Sequence, residues 1–186
     1  MTFIEINGDL IYTNVLIYES IAKEAFDKMN RLWKKHTSPK PNGKGLIITF
    51  DPNRKIFKNA LTSIVFTGIW LESLLHILIT RKFDEKEFKK HDRKTYKEKL
   101  NLLGFTNACQ ENADVFRKNR NKIVHEKAFL DEKNYQIAPD IALEAYSLRT
   151  MIKKELSKMI KKELSNEKKT KLALKDDEDI KAKVVK

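Results

Sequence analysis

The sequence predicts a mainly α protein, folded as a helical bundle with a small β-hairpin at its N-terminus. Glycine and proline are scarce, at five and four residues, while lysine, glutamate, leucine, alanine and isoleucine fill long uninterrupted stretches. Apolar residues recur at intervals of three and four in several segments, as they do on one face of a helix. A chain of 186 residues can bury roughly 70% of its unfolded surface, so we expect a single core.

The N-terminal residues carry a hairpin signal. Phe3 to Ile6 and Leu10 to Tyr12 flank the dipeptide Asn7-Gly8, which readily adopts a type I′ turn. We therefore assign residues 1–13 to a β-hairpin. The first helix follows, with Thr13 or Asn14 as its cap. Its apolar positions are Val15, Tyr18, Ala22, Ala25, Phe26, Met29, Leu32 and Trp33.

A loop and then the central helix are predicted next. Thr37 to Arg54 holds three of the four prolines and two glycines, and its residues Leu46 to Phe50 favour a short extended piece. Lys55 to Lys82 is apolar on nearly all sides, which is typical of a helix at the centre of a bundle. Its most apolar run, Ile64 to Ile79, is shorter than the roughly 20 residues of a membrane span, so we expect no membrane association.

The second half of the chain predicts three more helices. A basic segment, Lys82 to Lys97, leads into a connecting helix that Gly104 can cap. Thr106 to about Lys127 forms the next helix, and Ala128 to Ile137 a tight excursion. A closing amphipathic helix then follows, with Asp140 as its cap.

The last residues differ in composition from the bundle. After about Asn166 the chain is rich in lysine, carries adjacent acidic residues and has few bulky apolar groups, so it buries too little surface to offset its ordering entropy. We expect either a disordered tail or a fraying helix end. The domain assignment is thus a helical bundle over residues 14–165 and a charged, flexible tail over residues 166–186.

The charge and the single cysteine bear on the partners, the cofactors and the cellular location of the protein. The net charge is +12 and the sequence pI is about 9.6, which attracts polyanions such as RNA. A compositional lysine bias is the alternative, because only seven of the 38 basic residues are arginine. The single Cys109 cannot form an internal disulfide, and no metal-binding spacing is present, so we expect a cytoplasmic protein without a metal or other cofactor. An N-terminal signal sequence is not predicted either.

One polar cluster, residues 116–125, lies near the end of the helix predicted from Thr106 to about Lys127. Arg117, Asn121 and His125 recur every four residues and therefore share one stripe of a helix. Arg120 lies about 140° from His125 around the helix, but its long side chain can converge on the same point if the helix end loosens.

These residue types suit RNA cleavage. A histidine, with an unperturbed pKa of about 6.5, can accept the proton of a ribose 2′-hydroxyl near neutral pH. An arginine can stabilise the charge that builds on the phosphorane, and an asparagine can hold the phosphate or orient the imidazole. These residue types therefore favour RNA cleavage without a metal, with Arg120, Asn121 and His125 as the candidate catalytic residues of an endoribonuclease.

The cluster resembles the motif of the HEPN family, which is an arginine, four to six intervening residues and a histidine, usually with a polar residue directly after the arginine. Arg120-Asn121-x-x-x-His125 has this form. The order of the elements is also similar, with a long apolar helix before the motif, a lysine-rich connecting helix ending in Leu-Leu-Gly, and a closing amphipathic helix. The resemblance covers roughly residues 14 to 163.

The resemblance implies a four- or five-helix bundle that forms a homodimer, with two motifs facing each other across a cleft in which RNA is cut. Many members of the family are toxins or antiphage effectors, so an antitoxin is an expected partner. One subgroup carries a tyrosine two positions after the histidine, which a partner nucleotidyltransferase modifies. Lys127 occupies that position here, so this form of control is not expected.

Spacing alone does not identify such a motif. Arg31 and His36 have the same separation, but Leu32 replaces the polar residue, and the pair falls where an ordinary amphipathic helix enters the proline-rich loop. The alternative for the cluster at Arg120 is a solvated basic helix end. Arg117, Lys118 and Lys122 are interpreted as RNA contacts, with plain surface charge as the alternative.

Glu72 is a carboxylate in the otherwise apolar central helix, and burying it without a partner would be costly. A supporting role in the site would pair it with Arg120 or let it orient His125. The alternatives are a local pairing with His76, four residues later, or partial exposure. For the whole chain, the alternatives to a ribonuclease are a non-catalytic module that binds RNA or a protein, and a structural helical dimer.

Overall fold

The computed structural model describes residues 3–6, 9–12, 14–48, 51–83, 85–124 and 132–184. Within these ranges the chain is mostly helical, with six α-helices and two short antiparallel ribbons, which confirms the predicted fold class. It divides into two compact units, Met1–Arg149 and Thr150–Lys186.

The first ribbon is the predicted N-terminal hairpin. Strands β1 (Phe3–Ile6) and β2 (Asp9–Tyr12) pair antiparallel, with Phe3 opposite Tyr12 and Ile6 opposite Asp9. The Asn7-Gly8 turn lies outside the described residues. A second ribbon, β3 (Thr37–Pro39) with β4 (Leu46–Ile48), lies in the proline-rich loop, where the sequence predicted an extended piece at β4 but no partner strand.

Helices α1 (Val15–His36) and α2 (Lys55–Lys82) pack extensively against each other. The bounds of α2 are those predicted, and a short 3₁₀ helix (Pro52–Arg54) leads into it. By length and composition alone, α2 is also the one helix of the described part that could cross a membrane. It packs against α1, α3, α4 and α5, and Ala60, Ile64, Leu71 and Leu75 are fully buried, as expected for the central helix of a bundle.

The predicted connecting helix is interrupted. It consists of α3 (Glu85–His91) and α4 (Tyr96–Leu103). Thr95 starts α4 with a capping box, in which its hydroxyl accepts from the Glu98 backbone and the Glu98 carboxylate accepts from the Thr95 backbone. Gly104 ends it at φ 85°, in the left-handed conformation predicted for a C-terminal cap.

Helices α5 (Asn107–Val124) and α6 (Glu132–Val184) complete the fold. The start predicted for the closing helix is wrong: α6 begins before Pro139, so Asp140 lies inside the helix and does not cap it. On both sides of Pro139 the helix has buried residues, namely Ala138, Ile141, Ala142 and Ala145. Their burial offsets the loss of the backbone hydrogen bond that a proline removes.

The second unit, Thr150–Lys186, begins within α6, which continues to Val184. The boundary between the units therefore falls earlier than the predicted end of the bundle at residue 165. Lysine, glutamate, leucine and alanine, which are common in this part of the chain, are strong helix formers even without tertiary packing. The flexibility expected of residues 166–186 stays a prediction.

Candidate active site

Helix α5 carries the polar cluster and holds it against the bundle. Ala113, Phe116 and Ile123 are buried on its inner side. The helix ends at Val124, so the structure describes Arg120 and Asn121, whereas His125 lies outside the described residues.

Arg120 is partly buried and lies against α2 at Gly68. Its Nε is fully buried and has no hydrogen-bond partner within the described part of the chain. Its Nη1 donates to Oδ1 of Asn121 at 3.5 Å, a long bond. The first two residues of the motif are thus in contact, and the guanidinium is held mainly by packing.

Tyr96 of α4 reaches the same part of α2. Its hydroxyl donates to the carbonyl oxygen of Gly68 at 3.4 Å, and the side chain is buried. Burial is the main cause that raises the pKa of Tyr96 to about 12, and the negative charge of Glu72 raises it further. The positive charges of Arg120 and Arg117 act in the opposite direction. The phenol therefore stays neutral at ordinary pH, close to the arginine.

Glu72 has a partner that the sequence did not indicate. Its Oε1 accepts a hydrogen bond from Nζ of Lys99 at 2.6 Å. The Lys99 side chain is only 1% exposed, whereas that of Glu72 is 50% exposed. The partial exposure of Glu72 was one of the alternatives considered, but pairing with Arg120 or with His76 is not what the structure shows. A role in orienting His125 stays a prediction.

His76 instead stacks on Phe88 of α3, with ring centroids 3.7 Å apart and planes 6° from parallel. Nζ of Lys99 lies 6.0 Å from the centroid of the same Phe88 ring. These contacts join α3 and α4 to α2 beside Glu72. His76 is exposed to solvent and contributes to the contact between α2 and α3 through this stacking.

The cations predicted to contact RNA differ in their surroundings. Arg117 and Lys118 share the carboxylate of Asp114, at 3.1 Å and 2.7 Å. Their hydrogen bonds, that of Lys118 first, hold the pKa of Asp114 below its usual value. Lys122 is exposed near the end of α5. The Asp114 carboxylate thus offsets part of the positive charge on this helix.

Asn119, a neighbour of the motif, fixes α5 to α6. Its amide donates to Oε2 of Glu144 at 2.7 Å. Farther along α6, the ring of Tyr146 stacks on Phe26 of α1, with centroids 4.4 Å apart. Both contacts lie within the first unit. Helix α5 therefore contacts α6 through Asn119 and α2 through Arg120.

The structure brings together a group that sequence analysis found only in part. Arg120 and Asn121 were predicted, whereas Gly68, Tyr96 and Lys99 were not assigned to the site. Gly68 did carry a signal, because glycine inside a helix costs about 1 kcal/mol and calls for a packing reason. For Tyr96 and Lys99, the distance between α2 and α4 in the sequence leaves no local pattern to find.

Among the described residues, no three histidine, cysteine, aspartate or glutamate side chains are grouped as metal ligands would be. In comparisons with known proteins, no family model, curated protein or solved structure matches the chain. The resemblance of Arg120-Asn121-x-x-x-His125 to the HEPN motif therefore rests on the sequence alone.

Proposed function

We propose that this chain is a metal-independent endoribonuclease of HEPN type. His125 removes the proton of a ribose 2′-hydroxyl, and the 2′-oxygen then forms a bond to the adjacent phosphorus. The bond from phosphorus to the 5′-oxygen breaks, and that oxygen takes up a proton as it leaves. The products are a 2′,3′-cyclic phosphate end and a 5′-hydroxyl end. Arg120 stabilises the phosphorane charge, and Asn121 orients the reacting groups.

The placement of Arg120 is the observation that carries this proposal. Its guanidinium packs against α2, contacts Asn121, and lies one helical turn before the end of α5, where His125 follows. An arginine held in place before substrate binds loses little freedom when it grips a phosphate. The adjacent phenol of Tyr96 is neutral, so it does not compete with a phosphate for the positive charge of Arg120.

The surrounding charge suits an RNA substrate. The chain carries a net charge of +12, and Lys122 and Lys118 are exposed on the helix that holds Arg120. Arg117 is 33% exposed, so it too can reach a phosphate on the rim of the site. These three cations would hold the RNA backbone without reading its sequence.

The biological setting follows from the resemblance. We propose a cytoplasmic toxin or antiphage effector that acts as a homodimer, with the two motifs facing one cleft, and an antitoxin protein as a further partner. No membrane association is part of this proposal.

Cleavage of RNA in the presence of EDTA tests the activity. His125→Ala should abolish cleavage and barely change RNA affinity, because the imidazole moves a proton and contributes little to binding. Arg120→Ala should lower the rate by at least ~100-fold, the usual cost of losing one group that stabilises transition-state charge. Full cleavage by the His125→Ala variant would contradict the mechanism.

The chain supplies a matched control. Arg31 and His36 have the same spacing as Arg120 and His125 but lie on α1. The Arg31→Ala and His36→Ala variants should cleave like the wild type. RNA binding without any cleavage by the wild type would instead support the non-catalytic HEPN-like module, in which the same residues act as phosphate contacts.

A further inference from the structure

We propose that Gly68 is a positioning residue for Arg120: the missing side chain at Gly68 forms the notch in α2 in which the guanidinium lies. This inference rests on the proposed ribonuclease function, because it concerns how the arginine of that site is held. It adds a residue from the central helix to a motif that otherwise lies at the end of α5.

The contact between the two residues is close. A Cβ placed on Gly68 would overlap Nε of Arg120 and would lie 2.8 Å from its Cδ and 3.1 Å from its Cζ. Real Cβ atoms essentially never approach other atoms to less than 3.0 Å. Any other residue at this position would therefore push the arginine away from α2.

The neighbours of Gly68 explain why the arginine would be displaced rather than the helices. Tyr96 donates to the carbonyl oxygen of Gly68, which ties α4 to α2 at this point. Thr67 and Leu71 beside it are fully buried. The arginine side chain is the flexible component, with rotatable bonds along its length, so it would take up the shift.

The burial of Nε of Arg120 also indicates that the arginine is held by the notch at Gly68. This nitrogen is buried and has no hydrogen-bond partner in the part of the chain that the structure describes. A polar group buried without a partner is normally costly, so its position is imposed by the surrounding packing. The notch at Gly68 supplies that packing and leaves the terminal nitrogens of Arg120, one of which contacts Asn121, as the part that can meet a phosphate.

Gly68→Ala tests the inference through cleavage. We expect kcat to fall by on the order of 100-fold, because a shift of about 1 Å in a group that positions or stabilises the reacting atoms has that effect. The melting temperature should stay the same or rise, since alanine favours a helix more than glycine does. Ser63→Ala is the matched control, because Ser63 is also buried on α2 and its Oγ has no hydrogen-bond partner among the described residues; it should leave kcat unchanged.

The double variant Gly68→Ala/Arg120→Ala makes the test specific. Its kcat should equal that of Arg120→Ala alone, because alanine at position 68 acts by moving the arginine. A further loss in the double variant would show that Gly68→Ala damages the site by another route. A wild-type rate for Gly68→Ala would overturn the inference even if Arg120→Ala and His125→Ala are inactive.

Two readouts keep the test independent of nuclease activity. The Nε–H signal of Arg120 in a ¹H–¹⁵N spectrum, assigned by its loss in Arg120→Ala, should exchange slowly with solvent in the wild type and faster in Gly68→Ala. The melting temperature should also rise more on Gly68→Ala in the Arg120→Ala background than in the wild type. If neither effect is found, the inference fails; if both are found without RNA cleavage, it is the ribonuclease proposal that fails.

Discussion

Lys99 carries its ammonium group into the interior of the bundle, and Glu72 compensates its charge there. The Lys99 side chain is 1% exposed, and its Nζ lies 2.6 Å from Oε1 of Glu72. A buried charge without a partner is far more costly than an exposed one. Glu72, for which the sequence left open a supporting role in the site, therefore has a structural task within the described residues.

Glu72→Gln should lower the free energy of unfolding by roughly 1–3 kcal/mol. This value lies below the roughly 3–5 kcal/mol that breaking a fully buried pair costs, because Glu72 itself is half exposed and its charge is screened by solvent. Urea denaturation at neutral pH measures the change.

Lys99→Met provides the control for that prediction. It removes the buried charge and fills a similar volume, and the Glu72 carboxylate that remains can be hydrated. Lys99→Met should lower the free energy of unfolding less than Glu72→Gln does. A larger loss for Lys99→Met would contradict this account of the pair.

The raised pKa of Tyr96 makes the free energy of unfolding depend on pH in the alkaline range. The pKa of Tyr96 is raised from 10.0 to about 12 in the folded protein, so the folded state holds the phenol proton more tightly than the unfolded state does. The contribution of Tyr96 to the free energy of unfolding is fully present below pH 10 and is lost as the pH rises through 12. Between pH 9 and pH 11, the wild type should lose about 1 kcal/mol more than Tyr96→Phe in urea denaturation.

Tyr18→Phe, at a partly exposed position on α1, is the comparison for Tyr96→Phe. Its stability should follow that of the wild type over the same pH range. Equal alkaline losses in the wild type and in Tyr96→Phe would show that Tyr96 is not the linked group.

The identity of single residues in the site was partly predictable. Arg120 and Asn121 were found because arginine, asparagine and histidine combine in one local pattern with a clear chemical use. Lys99 was not, because a lysine is normally exposed and only the approach of α4 to α2 shows that this one is buried. Local patterns report residues on one helix, and the partners across the bundle come from tertiary packing.

At the scale of single elements, α4 is the helix with the clearest local signals. Thr95 and Glu98 form its capping box, and Gly104 ends it in a left-handed conformation. These contacts fix where Tyr96 and Lys99 fall along the helix. The cap therefore contributes to the placement of both residues beside Glu72.

Thr95→Ala should destabilise the protein by about 1 kcal/mol, the usual effect of losing an N-terminal cap. Thr95→Ser keeps the hydroxyl that accepts from the Glu98 backbone at 3.3 Å and should cost much less. Thermal unfolding compares the two variants. Equal losses would mean that the methyl group, rather than the cap, is what matters at this position.

The extent of each helix could be predicted where the sequence offers a boundary. The bounds of α2 were found because a proline-rich loop precedes it and a charged segment follows its long apolar run. The start of α6 was placed too late, because Asp140 was interpreted as its cap, while the helix begins at Glu132 and passes through Pro139. A proline excludes one hydrogen bond, and the packing of neighbouring alanines can outweigh that cost.

At the scale of the whole molecule, the excess of positive charge governs association with RNA in the proposed function. The chain carries 38 basic and 26 acidic residues, excluding histidine. Its fold class followed from composition and apolar spacing, because few glycines and prolines leave long segments free to form helices. The packing of these helices into one bundle depends on contacts that are distant in sequence.

Binding of single-stranded RNA should weaken steeply with salt. Lys122→Ala should reduce the slope of log affinity against log salt by about 0.7, the value for one lost phosphate contact on a single strand. Lys118→Ala should reduce it less, because Lys118 already pairs with Asp114. Lys23→Ala on α1, where Lys23 pairs with Asp27, is the control and should leave the slope unchanged. An unchanged slope for Lys122→Ala would remove that residue from the RNA-binding surface.

The central claim is that His125 deprotonates a ribose 2′-hydroxyl and that Arg120 stabilises the phosphorane formed by its attack. The most direct measurement uses a defined RNA and the same RNA with a single 2′-deoxy sugar at the cleaved position. In EDTA, the wild-type protein should cut the first to a 2′,3′-cyclic phosphate end and leave the second intact at that position. Cleavage of the 2′-deoxy substrate at the same bond, or products that never carry a cyclic phosphate, would contradict the account.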